Sequence, residues 1–470
     1  MTNRRNLLKP LLRFHQRTSP KLRKMLNDRC NLRIRRFLPT RYWQSLLVWT
    51  NQRWLIVGLA IVLWACQIVT PAGLPPMAAL NRSDPVDASI YQLRTGDLRL
   101  KVVDRQQRPL ADATVQIEQL THEFPFGTAL STEQFQPTAN KPEQSQYLSL
   151  AKRLFNAGVH ENALKWYATE SVQNQVSYED ADRILEWSDR HQFKMRGHTL
   201  FWAPEQWNPT WVRALKPQAL REAVQRRTLD VCRRYQGRFT DYDVFNEPLH
   251  GDFYQSRLGD GIGGEMFRWC HTVDPAVGLY VNEYDILNGK SLDRYIQLIR
   301  SWLQQGVPIS GIGVQGHIRE SITADRIKAS LDALAQLGLP IKITEFDAVA
   351  ATEQEQARIL KDVYRIAFAH PAVTGIFMWG FWQGAHWEPE AAIFKQNFEP
   401  KLSATQYQQL VYHDWWTRSS GQTDQTGNVA IRAFFGNYQV TVKANNQTFQ
   451  QTINFSSPRK SPQTITITAM

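Results

Sequence analysis

Cysteine is scarce, at four in 470 residues, and this excludes a disulfide-built scaffold. Cys30 and Cys66 fall in N-terminal segments of biased composition, so Cys232 and Cys270 can make at most one bridge, and the spacing leaves open whether they do. No metal-ligand spacing, P-loop or dinucleotide fingerprint is present, so no metal and no obligatory cofactor is expected. Acidic residues are almost missing from residues 1–53, which carry 14 Lys or Arg against Asp28 alone. The formal net charge of +12 less the +13 of this arm leaves −1 for residues 54–470. A phosphate-reading domain carries its own basic face, so the near-neutral body argues against nucleic acid as a partner and suits an uncharged polymer.

Charge is absent again from residues 54–70, a run of 17 residues rich in Leu, Ile, Val and Trp. This is at the short end for a membrane span, but uncharged residues continue to Leu80, so one tilted helix is feasible. The Lys and Arg before it would stay in the cytoplasm and place the rest outside. The expected order is a basic cytoplasmic arm (1–53), a transmembrane anchor (54–70) and a linker (71–95) rich in Pro, Ala and small polar residues. The body is then membrane-anchored and extracytoplasmic, in the periplasm or at the cell surface. Two alternatives are cleavage near residues 70–72, giving a secreted protein, and lipid attachment at Cys66.

From there on, apolar or β-branched runs that finish in polar or aromatic residues recur eight times: 126–130, 158–162, 194–202, 242–247, 278–284, 311–317, 341–345 and 375–382. Between them lie amphipathic stretches at 144–155, 180–191, 217–235, 292–304, 324–337 and 354–369. Eight βα units predict a (β/α)8 TIM barrel over 121–417, whose chemistry belongs at the C-terminal ends of the strands. Alternating segments flank it. Residues 97–119 (Leu98, Leu100, Val102, then Val115, Ile117) predict a β-hairpin in the segment 96–120, and 429–434 with 438–442 predict another in 418–470. The two ends are expected to form one small β-module bracing the barrel.

Two of the runs end in a glutamate: Tyr242-Asp243-Val244-Phe245-Asn246-Glu247 and Ile341-Lys342-Ile343-Thr344-Glu345. Two carboxyl groups held by rigid strands are what glycosidic cleavage needs, one to protonate the leaving oxygen and one to meet the oxocarbenium-like carbon. With their neighbours these segments resemble glycoside hydrolase family 10, the endo-β-1,4-xylanases. Y-D-V-F-N-E and I-T-E-F-D resemble the family's fourth- and seventh-strand motifs. Glu161-Asn162-Ala163-Leu164-Lys165-Trp166, Arg196 to Trp202, Leu279 to Tyr284, Gly311 to His317, and Gly375 to Gly380 with Trp387 follow the family's other motifs in order.

That resemblance implies a retaining hydrolase acting on internal bonds of xylan, with Glu247 as general acid and base and Glu345 as nucleophile. Glu247 then needs a raised pKa, for which Phe245 and the tryptophans are candidate surroundings, and Glu345 needs hydrogen-bond donors, His317 first among them. Asn246 would bond the sugar 2-hydroxyl. Glu161, Asn162, Lys165, His198 and Gln315 would grip sugar hydroxyls, and Trp202, Trp379 and Trp387 would offer flat faces to pyranose rings. A xylan-binding, monomeric catalytic domain is expected. Departures from the pattern are Ala203 in place of histidine, Tyr242 in place of tryptophan, Glu283 in place of aspartate, Asp285 where asparagine is common, and Glu388 in place of arginine. They bear on the choice of polymer. The alternatives are a barrel glycosidase acting on glucan or mannan, and a catalytically silent, membrane-tethered carbohydrate-binding protein.

Overall fold

The structure, a computed structural model, describes residues 80–457 and 464–469. The chain divides into a unit of residues 1–73, wholly outside the described residues, and a unit of residues 74–470. The expected basic arm and the apolar run 54–70 therefore lie outside the description. Among the described residues no helix is long and apolar enough to cross a membrane.

A helix, Pro85–Arg94, opens the described part, in a region expected to be linker. Its start follows local chemistry: Asp84 accepts from the backbone N–H of Val86 and Asp87, and Pro85 occupies the first turn. Ile90 is fully buried, and Arg365 on the helix Glu353–Ala369 pairs with Asp84 at 3.0 Å and Asp87 at 2.7 Å. The absence of an obvious apolar stripe hid a helix that packing stabilises.

Strands β1 (Thr95–Val103) and β2 (Thr114–His122) follow, and then the barrel: β3 (Phe126–Leu130), β4 (Ala157–His160), β5 (Lys194–Trp202), β6 (Asp241–Asn246), β7 (Gly278–Glu283), β8 (Gly311–Val314), the two-residue β9 (His317–Ile318), β10 (Ile341–Ala348) and β11 (Val373–Met378). All pair in parallel, and β11 bonds both β10 and β3, so eight strands close on themselves while β9 extends the top of β10. Strands such as β3, β6 and β10 are buried along their whole length because helices cover one side and the barrel interior the other. One covering helix, Ile262–Val273, had no counterpart among the expected helical stretches.

The barrel interior holds charge. Arg196 is fully buried between the rings of Tyr280 and Phe377, bonds Asp241 at 2.5 Å and Asp243 at 2.6 Å, and Lys342 also pairs with Asp241. Higher up, Gly313 makes room for an amide: a Cβ there would stand 2.5 Å from the Asn282 side-chain oxygen.

Neither expected hairpin forms. β1 pairs with β13 (Asn428–Phe434) and β16 (Thr464–Thr468), whereas β2 pairs with β12 (Arg418–Gln422) and β14 (Gly436–Ala444), which in turn pairs with β15 (Gln447–Phe455). The two strands of each expected hairpin, β1 with β2 and β13 with β14, thus enter opposite sheets of a sandwich, and Leu98, Leu100 and Val102 bury against Val115, Ile117 and Val440. Period-two alternation is common to a hairpin and to two facing sheets, so it could not separate them. The expected association of the two chain ends does occur, through β1 with β13 and β2 with β14.

Cys232 and Cys270 are bonded, joining the helix Pro217–Arg234 to Ile262–Val273 across 38 residues of sequence. Opening this loop frees unfolded-state entropy worth about 2–4 kcal/mol. Cys232→Ala is expected to lower unfolding stability by about that amount, read as a fall in the denaturant midpoint; an unchanged midpoint would show that the bridge adds nothing.

Candidate active site

The C-terminal ends of the barrel strands surround a cleft of about 540 Å3. All twelve residues singled out in the sequence border it: Glu161, Asn162, Lys165, His198, Trp202, Asn246, Glu247, Gln315, His317, Glu345, Trp379 and Trp387. Tyr167, Trp207, Tyr284, Asp285 and Arg319 border it too; of these, Tyr284 belongs to a family motif and Asp285 is one of the departures from it, and the other three were not expected there.

Glu345 lies within β10 and is almost fully buried. Its nearest donor is Asn282, whose Nδ2 reaches Oε1 at 2.6 Å, while the expected donor, His317, stands with Nε2 3.5 Å from Oε2. His198 Nδ1 is 3.8 Å from Oε1 on another side. Each histidine has an aspartate behind it: Asp243 accepts from His198 Nδ1 at 2.9 Å, and Asp347 from His317 Nδ1 at 2.8 Å. Burial opposes charge on His317, but Asp347 and Glu345 outweigh it and push its pKa up to about 10, so the ring is an imidazolium at neutral pH.

Glu247 follows the last residue of β6 in a left-handed backbone conformation, φ 60°, with its N–H bonded to the Asn282 carbonyl. Its Oε1 accepts from Gln315 at 3.0 Å and from Asn246 at 3.3 Å. Burial lifts its carboxyl above the ordinary range, the charges of Glu345 and Glu283 add to the rise, and the Trp202 and Gln315 donors oppose it. The Trp202 indole N–H makes no hydrogen bond of normal geometry. Phe245, expected to enclose Glu247, instead packs on Tyr254 and Trp302 among the covering helices, because strand alternation turns it away from Asn246.

The two carboxyl groups share one amide network. Asn282 donates to both Glu345 and the Asn246 side-chain oxygen (2.8 Å) and accepts from Thr344 at 2.6 Å. Beside it, Lys165 is buried, donates to Asn162 Oδ1 at 3.0 Å and stands 4.5 Å from the Trp202 ring centre. Burial lowers the Lys165 pKa against the pull of Glu345, Glu161 and Glu247, and raises that of Glu161 to about 7.

Trp379 is mostly buried, edge-on to His198, whereas Trp387 is 54% exposed and donates to Asp347 at 2.8 Å. Of the departures, Ala203 is buried and gives the cleft no side chain, Tyr242 is buried outside the cleft, and Glu388 faces Arg319 at 3.8 Å. Glu283 binds the loop after Glu247, accepting from the Leu249 N–H at 2.9 Å and His250 at 2.7 Å. Asn282, Asp243 and Asp347 were missed as site residues. The signal was there: each is a polar residue within or just beyond a run of apolar and β-branched residues, and Asp347 shares the strand face of Glu345.

Residues 117–410 match the sequence profile of Glycosyl hydrolase family 10. The chain belongs to this family. It is 37% identical over 369 residues to the anti-sigma-I factor RsgI6 of Acetivibrio thermocellus, covering 78% of this chain and 47% of that protein. With endo-1,4-beta-xylanase 1 of Arabidopsis thaliana it shares 34% over 371 residues, 78% of this chain and 38% of the other, so the chain spans half or less of these two relatives. Among solved structures, xylanase 10B of Thermotoga petrophila in complex with xylobiose superposes with a TM-score of 0.57 at 26% identity, covering 62% of this chain and 94% of that one.

In this family 10 chain, replacing Glu345 by Gln removes a negative charge beside Glu247. Because that charge raises the Glu247 pKa, Glu345→Gln is expected to lower it, measured by NMR titration of the labelled carboxyl carbon. A rise or no change would contradict the electrostatic assignment.

Proposed function

We propose that the protein is a retaining endo-β-1,4-xylanase. The observation that carries this is one cleft holding two carboxyl groups with opposed surroundings: Glu345 gripped by an amide and facing an imidazolium, and Glu247 pushed by burial toward its protonated form. In the first step Glu247 gives its proton to the glycosidic oxygen as the C–O bond breaks, and a Glu345 oxygen bonds the anomeric carbon. In the second, Glu247 takes a proton from water, whose oxygen displaces Glu345 and restores the original configuration. His317, held by Asp347, offsets the charge that returns to Glu345. Asn246, anchored by Asn282, is placed to bond the sugar at the reacting position. The xylanase names among the relatives and the solved structure support xylan as the polymer.

The likeness to a protein named as an anti-sigma factor favours a second reading, a carbohydrate-binding domain without turnover. Membrane tethering through residues 54–70, with the barrel outside the cytoplasm, is proposed from the sequence alone.

Reducing-sugar release from xylan, β-glucan and mannan, with Glu345→Ala as the blank, tests the reading. Release from xylan supports it; release from β-glucan or mannan alone changes the polymer, and none from any of the three favours the binding-domain reading. Proton NMR of early products is expected to show the β-anomer. Glu345→Ala is expected to lose about 10⁴-fold or more in turnover on every substrate, and Glu247→Ala about 10²–10⁴-fold on xylan but much less on an aryl glycoside with a good leaving group. Equal losses on the aryl glycoside would reject the assigned roles.

A further inference from the structure

The ring of Trp202 is already covered. The Trp207 indole lies 4.7 Å from it with 5° between the planes, and the Lys165 ammonium is 4.5 Å from the same ring centre. Trp202 turns its buried indole N–H toward Glu247, without a hydrogen bond of normal geometry. Trp207, by contrast, is 44% exposed and borders the same cleft as Glu161, Asn162 and Lys165. Its outer face is a bare aromatic surface beside a set of groups suited to hydroxyls.

This surface is held still from behind. Asn208 donates through Nδ2 to the carbonyls of Trp202 and Pro204, both at 3.1 Å, and accepts the Tyr254 hydroxyl. The Ala203 N–H bonds the Asn246 carbonyl at 2.9 Å, which ties the segment to the strand that leads into Glu247. A rigid aromatic face loses little conformational freedom on binding, and the apolar C–H face of a pyranose is its natural partner. Ala203 gives the cleft no side chain, whereas Trp207 borders it.

We propose that the outer face of Trp207 is a stacking platform for a sugar of a β-1,4-linked chain, farther from Glu247 than the sugar gripped by Glu161, Asn162 and Lys165, and that it selects for longer chains. The proposal rests on the polysaccharide reading above and deepens it. It is tested by calorimetric binding of xylotriose and xylohexaose to the full chain carrying Glu345→Ala, which separates binding from turnover. Adding Trp207→Ala is expected to weaken xylohexaose binding about tenfold and to remove most of its advantage over xylotriose, while Trp207→Tyr, which keeps a ring, recovers most of both.

Equal xylohexaose affinity with and without the Trp207 side chain overturns the proposal. So does failure of the Glu345→Ala chain to bind xylohexaose, cellohexaose or mannohexaose at all. Dependence on Trp207 for cellohexaose or mannohexaose supports the platform and rejects xylan as the polymer. Trp207-dependent binding with no turnover by the wild-type chain supports the platform and rejects the hydrolase reading alone.

Discussion

The buried guanidinium of Arg196 orders the barrel interior. It is out of contact with water, as are Asp241 and Asp243, and removing three such charges from solvent costs several kcal/mol each unless they satisfy one another. They do so by direct bonds, and Arg196 outweighs burial to hold both aspartates below the ordinary carboxylate range. Asp243 Oδ2 is shared between Arg196 and His198, and His198 stands beside Glu345. Asp347 likewise holds His317 by Nδ1, which leaves the opposite ring nitrogen facing Glu345. Glu345 is therefore bonded by Asn282 and flanked by two histidines, each held by its own aspartate.

The amide network extends that rigidity to the second carboxyl group. Asn282 has both a donor shared between Glu345 and Asn246 and an acceptor closed by Thr344, so its orientation is set. Gln315 completes the path to Glu247. The space Asn282 needs exists because residue 313 is glycine. A neutral link of this kind positions two acids without giving either a counter-charge, which leaves burial free to raise the Glu247 pKa. Glu283 serves the same end from outside, tying down the loop that follows Glu247.

The exposed aromatics of the cleft and its two carboxyl groups come from different parts of the fold. Glu247, Glu345 and their supports come from β-strands or their first following residues, where closure of the barrel fixes them. Trp207 and Trp387, the exposed aromatics of the cleft, come from loops. The departures at Ala203 and Glu388 also fall on loops, where wall shape can change without disturbing the carboxyl groups.

The sequence by itself determined the βα period and the order of the barrel strands, because period is a local property that a barrel converts directly into place, whereas most of the twelve residues that meet at the cleft were legible only through their resemblance to family motifs. It also held the helix-start chemistry of Asp84 and Pro85, overlooked because the helix shows no long apolar stripe. Tertiary structure alone decided which sheet each flanking strand joins, since alternation marks an inward face without naming its neighbour. It alone paired Cys232 with Cys270, turned Phe245 away from Glu247, covered the Trp202 ring and made Asn282 the nearest donor to Glu345. Each of these depends on contacts between residues far apart in the chain, and no local pattern carries that distance.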